Sequence, residues 1–310
     1  MRALAILDDG NPAAIRDVAK PEPGPGEVLV RVRAASINGF DIFVANGYLK
    51  GMMEHRFPVV IGKDFAGTVE ARGEGLTEFA VGDRVFGVVT KAFLGDGSIA
   101  EYVTVPVAIG VTRLPDSIDF TTGGALGLAS EAALAAADAA KFEAGQVVLI
   151  AGATGGVGSQ SLELAVRAGA LVIATAHSEA ERALVTSLGA AEIVDYKTDI
   201  VAPVRAAHPS GVDVALHFAG DPADVIGVVK SGGLFVSTLL RSESDAQSEN
   251  VTVLKANASP AREALDRAAA NQAGGVTHVI IQRTYPLAEA AQALAEFQAG
   301  TLGKLVIVVD

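Results

Sequence analysis

The 310-residue sequence predicts an α/β protein, in which a β-rich part precedes a parallel sheet covered by helices on both faces. Two observations predict this fold class. Short strands separated by Gly- and Asp-containing turns fill residues 1 to about 122, a pattern typical of a small barrel-like β domain. From about Gly123, helical patterns alternate with apolar strands, and that alternation requires a parallel sheet.

The elements follow from local patterns of apolar and turn-forming residues. The β-rich part has strand candidates at 28–34, 67–71, 84–89 and 100–105. The later part has strands at 147–151, 170–175, 192–194, 212–217 and 233–239, with helices near 159–167, 179–188, 200–207 and 222–230. The last fifty or so residues have helices near 260–273 and 287–299 and a strand at 305–309. We expect this tail to return to the first domain, which gives domains of 1–122 with 260–310, and 123–259.

The most informative segment is 147–158, where an apolar strand enters a glycine-rich turn that leads into a helix. Gly155 and Gly158 fill two positions of the pattern G-x-G-x-x-G, while Ala153 takes the first. Such a turn directs backbone N–H groups and the positive end of the helix at one point, which suits a pyrophosphate. A tight turn without a ligand is the alternative, because turns also need glycine.

Composition excludes several classes of function. The net charge of −12 argues against nucleic acid as a partner, because phosphate binding needs a basic surface. The absence of cysteine excludes disulfides, iron–sulfur clusters, thiolate zinc sites and cysteine nucleophiles. No apolar run is long enough for a membrane helix, and the first residues are too short a run for a signal peptide. We therefore expect a soluble, cytoplasmic protein.

Short motifs recur in a fixed order from end to end: 23–28, 34–38 with Asp41, 61–67, 81–86, 145–146, 188–190, 232–234, 286–290 and 303–306. In this order the chain resembles the medium-chain dehydrogenase/reductases, and among them the zinc-independent quinone oxidoreductases. The resemblance implies a GroES-like catalytic domain, a Rossmann cofactor domain with a doubly wound parallel sheet, and an active site in the cleft between them.

The resemblance also indicates whether the chain has the ligands of a zinc site. Where zinc-using relatives have a cysteine and a histidine, this chain has Asn38 and Lys63, and a third ligand would fall near Gly127. An ammonium repels a dication, and Asn and Gly replace thiolate poorly. The four-cysteine zinc lobe is missing as well. We therefore expect no metal.

Without zinc, oxidation of an alcohol is difficult because nothing stabilises the alkoxide. Reduction of a quinone or a conjugated carbonyl needs only positioning and a donor for the developing oxyanion. The resemblance places Asn38 beside a nicotinamide as that donor, although Asn38 could instead satisfy loop backbone. Asp41 could orient Asn38 or a ribose, or be structural. Phe43 stands where several quinone reductases have a pocket tyrosine, and residues 40–57 suit a wall for a small, planar, apolar substrate, although core packing explains them equally well.

The predicted cofactor is NADPH. No carboxylate ends the second strand of the parallel sheet, and Ser178 and Arg182 could bind a 2′-phosphate, unless Arg182 pairs with Glu179. Tyr196 matches a family tyrosine near that phosphate. The resemblance further implies these cofactor-binding residues: Thr154, Gly155, Gly156, Val157 and Gly158 at the pyrophosphate, Ala219, Gly220, Thr238 and Leu239 around the nicotinamide, and Lys304 near the cofactor.

The function expected is therefore NADPH-dependent reduction of quinones or α,β-unsaturated carbonyls. A reductase of enoyl thioesters and a non-catalytic NADPH-binding protein are the alternatives. Strand 233–239 is interpreted as a sheet edge, and the resemblance implies a homodimer, because in relatives that edge pairs across a two-fold axis. Asp64 is interpreted as the cap of a local turn, and the roles of His217, Lys63 and Glu131 stay open.

Overall fold

The computed structural model describes residues 1–8, 10–246, 248–258 and 260–310. Its contacts divide the chain into two compact units. The first comprises Met1–Ala129, Pro260–Ala273 and Ile281–Asp310, and the second comprises Ser130–Ser259 and Gly274–Ile280. The limits predicted for the two domains stay a prediction, and Ser259, at one of these limits, lies outside the described residues.

The elements are named here in chain order. The strands are β1 (Arg2–Ile6), β2 (Ala14–Asp17), β3 (Glu27–Ser36), β4 (Glu54–His55), β5 (Val59–Val60), β6 (Asp64–Arg72), β7 (Arg84–Val88), β8 (Phe93–Leu94), β9 (Tyr102–Pro106), β10 (Val111–Arg113), β11 (Val147–Ala151), β12 (Leu171–Thr175), β13 (Glu192–Val194), β14 (Val212–His217), β15 (Val229–Ser237), β16 (Thr252–Lys255), β17 (Ile281–Pro286) and β18 (Lys304–Val308). The helices are α1 (Gly39–Ala45), α2 (Phe120–Ala140), α3 (Gly156–Arg167), α4 (Glu179–Ser187), α5 (Val201–Ala207), α6 (Pro222–Gly227), α7 (Arg262–Ala273) and α8 (Ala290–Ala299).

The first unit is built on a sheet in the order β10-β7-β6-β3-β18-β17, with β9 also paired to β3. The long strand β3 alternates apolar and polar residues, and Val28, Val30 and Val32 are fully buried in the core of this unit. The C-terminal strand β18 pairs antiparallel with β3, whereas β6 pairs with the other edge of β3. Side chains at the end of β3 are therefore flanked by residues from both ends of the chain.

The second unit is a parallel sheet in the order β13-β12-β11-β14-β15-β16. Alternate residues of its strands enter two separate cores, one on each face. Val148 and Ile150 of β11 belong to one core, and Leu149 and Ala151 belong to the other. A parallel sheet buried on both faces confirms the predicted fold class of this part.

Three details of the second unit differ from the sequence-based expectation. Strand β15 lies inside the sheet, so the interpretation of 233–239 as an edge is wrong. The edge strand is β16, which was not predicted although Thr252–Lys255 has a β-branched composition. The helix predicted over 222–230 ends at Gly227, because Val229 already pairs with Val212 in the sheet.

Candidate functional site

A cluster of buried polar side chains lies in the first unit where β3 ends, and we call Ser36, Asn38, Asp41, Asp64 and Lys304 the buried polar cluster. The strand register brings most of them together. Ser36 is paired with Asp64 of β6 on one side and with Val306 of β18 on the other. Continuing the antiparallel register by two residues places Lys304 opposite Asn38. Each of the five is at most 7% exposed.

Asp64 and Lys304 form the centre of this cluster. Asp64 Oδ2 accepts hydrogen bonds from Ser36 Oγ at 2.8 Å, Asn38 Nδ2 at 2.9 Å and Lys304 Nζ at 3.2 Å. Its Oδ1 accepts from the Leu128 backbone N–H at 2.7 Å. The interpretation of Asp64 as the cap of a local turn is therefore wrong, because its partners lie on three other elements. Such pairing offsets the cost of burying two charges.

Gly127 makes the approach of Asp64 to α2 possible. A Cβ atom at this position would lie 2.4 Å from Asp64 Oδ1, which is too close for any side chain. The helix also bends here, because Gly127 has non-helical dihedral angles. Because Gly127 has no side chain, it leaves the space that the Asp64 carboxylate occupies beside α2.

Asn38 is held at three points. Its Oδ1 accepts from Lys304 Nζ at 2.6 Å, its Nδ2 donates to Asp64, and its backbone N–H donates to Asp41 Oδ2 at 2.8 Å. An amide carries two N–H groups, so one N–H of Asn38 has no protein partner in the described part of the chain. The ammonium on the amide oxygen withdraws electron density and makes the remaining N–H a stronger donor. This side chain is thus fixed with one donor to spare.

Asp41, on the first turn of α1, is buried with one oxygen unsatisfied. Its Oδ1 has no hydrogen-bond partner among the described residues. Burial raises the pKa of Asp41 from 3.8 to about 7, and the charge of Asp64 acts in the same direction. The hydrogen bond from Asn38 and the ammonium groups of Lys304 and Lys63 oppose that shift. Asp41 therefore changes its charge near neutral pH.

Two kinds of site are absent from residues 1–8, 10–246, 248–258 and 260–310. No group of three or more His, Cys, Asp or Glu side chains is placed to hold a metal ion. No helix there combines the length and the apolar composition needed to cross a membrane.

Lys63 donates from Nζ to the Val89 carbonyl at 2.9 Å and lies 4.6 Å from the centre of the Phe40 ring. Burial lowers the pKa of Lys63, although Asp41 and Asp64 act to raise it.

An exposed apolar surface follows Asn38 along α1 and the next turn. Phe43 is 51% exposed and packs edge-on against Tyr48, with ring centres 5.9 Å apart. Met52 and Phe57 are also exposed, so core packing does not account for these four side chains. An exposed group of aromatic and thioether side chains suits contact with a flat apolar molecule.

In the second unit, the predicted cofactor residues meet at one edge of the sheet. In the sheet, β11 lies between β12 and β14. The strands that follow β11 in sequence therefore extend first to one side of it (β12, β13) and then to the other (β14, β15, β16), so the strand order reverses beside β11. Parallel strands end at the same side of the sheet. The segments that directly follow β11, β12, β14 and β15 contain Thr154–Gly158 (which includes the first turn of α3), Ser178, Ala219 with Gly220, and Thr238 with Leu239. The crevice at such a reversal is where doubly wound sheets bind ligands.

The glycine-rich turn after β11 fits a pyrophosphate. A Cβ atom at Gly158 would lie 2.1 Å from the Gly152 carbonyl oxygen, so the packing of α3 on β11 requires glycine there. A Cβ atom at Gly155 would meet only the same oxygen at 3.5 Å, and its φ of −77° suits any residue. The fold does not need glycine at position 155. No described side chain caps α3, so its first N–H groups remain free for an anion.

No acid ends β12 itself, as predicted, but a carboxylate of the following helix α4 (Glu179–Ser187) turns back to the loop after this strand. Ser178 caps α4, and its Oγ accepts from the Glu181 N–H at 3.2 Å. The Glu181 carboxylate turns back and accepts from the N–H groups of His177 and Ser178, both at 2.7 Å, and from the Tyr196 hydroxyl at 2.9 Å. Burial would raise the pKa of Glu181, but these hydrogen bonds together lower it. A carboxylate therefore lies among the predicted phosphate ligands.

Arg182 points to the same loop. Its Nε donates to the His177 carbonyl at 3.1 Å, and its guanidinium lies 3.7 Å from Asp195. Its ion-pair partner is thus Asp195 rather than Glu179. The long contact leaves most of the N–H groups of the guanidinium available to an anion.

Four residues of the site were missed or only partly identified from the sequence. Asp64 and Ser36 belong to the buried polar cluster, and only the motif 61–67 drew attention to Asp64. Lys304, predicted near the cofactor, lies in this cluster within the first unit. His217 is buried at the end of β14 with both ring nitrogens in hydrogen bonds.

Comparison with known proteins places the chain in a family. Residues 24–116 match the "Alcohol dehydrogenase GroES-like domain" and residues 156–259 match "Zinc-binding dehydrogenase". The quinone oxidoreductase of Sus scrofa is 30% identical over 100% of this chain and 98% of its own length. The structure of the quinone oxidoreductase from Coxiella burnetii superposes with a TM-score of 0.89, at 25% identity, over 100% of this chain and 99% of that chain. A mycocerosic acid synthase-like polyketide synthase of Mycolicibacterium smegmatis is 36% identical over 69% of this chain and 10% of its own length.

These matches confirm the predicted GroES-like part and the predicted family resemblance. They span both units, and the pig relative is matched over nearly its whole length. The chain therefore belongs to the medium-chain dehydrogenase/reductase family of oxidoreductases, among its quinone oxidoreductase-like members, and has that family's nicotinamide-dinucleotide-binding fold.

Proposed function

We propose that the protein is an NADPH-dependent, metal-free reductase of quinones or α,β-unsaturated carbonyls. The observation that carries this proposal is Asn38, whose amide is fixed by Lys304 and Asp64 and keeps one N–H free. A fixed donor suits an oxygen that gains negative charge, because it needs no reorganisation during the reaction. The reduced dinucleotide, when bound, supplies the hydride.

The residues of the chain have distinct tasks in this proposal. Asn38 donates to the carbonyl oxygen of the substrate, and Lys304 and Asp64 keep its amide in place. Phe43 and Tyr48 offer apolar faces to a small planar substrate. The turn Thr154–Gly158 binds the pyrophosphate through backbone N–H groups, since Gly155 leaves room for it and α3 is uncapped. Water supplies the proton.

NADPH is favoured over NADH by the groups near the end of β12. Arg182 and the hydroxyl group of Ser178 can donate to a 2′-phosphate, while the hydroxyl of Tyr196, beside them, donates to Glu181. The carboxylates of Glu181 and Asp195 oppose this phosphate by charge repulsion. We therefore expect a clear but modest preference for NADPH.

The test is a steady-state assay with NADPH or NADH and a panel of acceptors: a benzoquinone, a naphthoquinone, an enone and an enoyl thioester. We expect oxidation of NADPH with the quinones or the enone. Asn38→Ala should lower kcat about 100-fold while the KM for NADPH stays unchanged. Asn46→Ala, at the exposed opposite end of α1, is the matched control.

The outcomes separate the alternatives. Turnover of the thioester alone would replace the proposed substrate class by enoyl thioesters. Binding of NADPH without oxidation by any acceptor would favour a non-catalytic protein. An unchanged kcat in Asn38→Ala would show that Asn38 does not take part in the reaction.

The partner proposed is a second copy of the chain. Strand β16 is an edge of the parallel sheet, and an edge strand presents unpaired N–H and C=O groups that another strand can bind. We propose that a homodimer forms along β16, and light scattering at micromolar concentration should give twice the 31.5 kDa chain mass. A monomer mass would refute it. Given the net charge of −12, we expect neither nucleic acid nor a membrane as a partner.

A further inference from the structure

Two buried side chains connect the loops that follow β14 and β15. His217 is the last residue of β14, Ser237 is the last residue of β15, and they are 2% and 0% exposed. The parallel register pairs these two residues directly. As a result, His217 Nδ1 and Ser237 Oγ are 2.9 Å apart. We call this pair the His217–Ser237 bridge.

The hydrogen bonds at the two ends of the bridge determine its direction. His217 Nε2 lies 3.1 Å from the Gly220 carbonyl oxygen, which can only accept, so Nε2 carries the proton. The Nδ1 atom of the neutral ring is then an acceptor, and the Ser237 hydroxyl donates to it. Burial lowers the pKa of His217, which favours this neutral ring.

Ser237 Oγ also holds the loop that follows β15. It accepts from the backbone N–H groups of Leu239 at 3.0 Å and Leu240 at 3.3 Å. The bridge therefore runs without interruption from these N–H groups, through Ser237 and His217, to the Gly220 carbonyl. It links one loop to the other at the carboxyl edge of the sheet.

We propose that His217 and Ser237 are positioning residues that fix these two loops in the arrangement that binds the nicotinamide half of the dinucleotide. The inference rests on the proposed function, in which the loops at 219–220 and 238–239 surround the nicotinamide. Ala219 and Gly220 are exposed, and Leu239 is 54% exposed, so packing of these residues alone holds the loops weakly. The bridge supplies buried anchors instead, and the His217 ring is itself stacked on Phe235 at 5.5 Å.

The test compares two ligands that share the adenosine end. NADPH contains the nicotinamide, whereas 2′,5′-ADP contains only the adenosine and its phosphates. In His217→Leu and Ser237→Ala, we expect the Kd of NADPH to rise about tenfold, the effect of one lost buried hydrogen bond, while the Kd of 2′,5′-ADP stays unchanged.

Two further variants serve as controls. His217→Gln should restore most of the affinity, because its amide can donate to Gly220 and accept from Ser237. His208→Leu removes a histidine that contacts Glu192 at 3.0 Å at the end of α5, and should leave both Kd values unchanged.

Hydrogen exchange provides a readout without any cofactor. The Leu239 and Leu240 amides should exchange faster in His217→Leu and Ser237→Ala than in the parent, and at the parent rate in His208→Leu. If His217→Leu does not fold, Ser237→Ala alone carries the test.

Two results would overturn the positioning role: an NADPH affinity that is unchanged in both bridge variants, or equal weakening of NADPH and 2′,5′-ADP. A parent protein that binds neither ligand contradicts the proposed function instead. In that case the exchange rates still decide whether the bridge holds the loops.

Discussion

Replacing Asp41 by asparagine should stabilise the protein, and by more at high pH than at low pH. In the folded chain, burial raises the pKa of Asp41 from 3.8 to about 7. Between these two values the folded chain keeps a proton that the unfolded chain has released. Stability is therefore lost as the pH rises through that window, because the folded state binds more protons than the unfolded state. Asparagine cannot ionise, and its oxygen can still accept from the Asn38 N–H.

The magnitude follows from the size of the shift. Each pKa unit corresponds to about 1.36 kcal/mol, so a shift of about three units costs roughly 4 kcal/mol once Asp41 is ionised in both states. At pH 5, roughly 1.5 kcal/mol of that cost is already present, because the unfolded carboxyl is then ionised. The advantage of Asp41→Asn over the parent should consequently grow by roughly 2.5 kcal/mol between pH 5 and pH 8.

Urea unfolding at the two pH values measures this difference. Tyrosine fluorescence mostly reports the first unit, since Tyr48, Tyr102 and Tyr285 lie there and the chain has four tyrosines and no tryptophan. Asp116→Asn, at an exposed aspartate of the same unit, is the matched control. An advantage of Asp41→Asn that is equal at pH 5 and pH 8, or larger at pH 5, would refute the assignment of a raised pKa to Asp41.

Three other substitutions test the remaining parts of the site. Gly158→Ala should destabilise the protein by about 1–3 kcal/mol, because its Cβ would clash with Gly152. Gly155→Ala should change stability by less than about 0.5 kcal/mol but weaken NADPH binding about tenfold. Thermal unfolding measures the stability and fluorescence titration measures the binding, and an equal loss of stability in both variants would contradict the distinction between the two glycines. Lys304→Met should cost roughly 3–5 kcal/mol in urea unfolding, because it leaves the fully buried Asp64 without its ammonium, and adding Asp64→Asn should recover part of the loss. Glu181→Gln should raise the preference for NADPH over NADH roughly fivefold, because it removes a charge repulsion of about 1 kcal/mol between this carboxylate and the 2′-phosphate. Arg182→Ala should lower the same preference, which is measured as the ratio of the kcat/KM values for the two cofactors. An unchanged ratio in both variants would show that the 2′-phosphate binds elsewhere.

The sequence was most informative where the determinants are local. The alternation of strands and helices predicted the parallel sheet, and the strand, turn and helix around Gly155 predicted the edge where the loops meet. Strand β16 was missed although Val253 and its neighbours have a β-branched composition, since a four-residue strand gives a weak periodic signal. Arg182 was predicted to bind a 2′-phosphate, with a pair to Glu179 of its own helix as the alternative, yet its ion-pair partner Asp195 follows a different strand. Neighbours on a helix can be inferred from spacing, but partners in tertiary contact cannot.

The buried polar cluster shows why such a site needs the register of a sheet to be known. Lys304 and Asp64 are separated by 240 positions, and Lys304 lies beside Asn38 only because β18 pairs with β3 so that Val306 faces Ser36. A register shifted by one residue would move Lys304 to the opposite face of β18 and leave Asp64 buried without a cation. Since an unpaired buried carboxylate is strongly unfavourable, the cluster itself penalises the shifted pairing. The same contacts that hold Asn38 in place therefore also favour the strand pairing that creates the site.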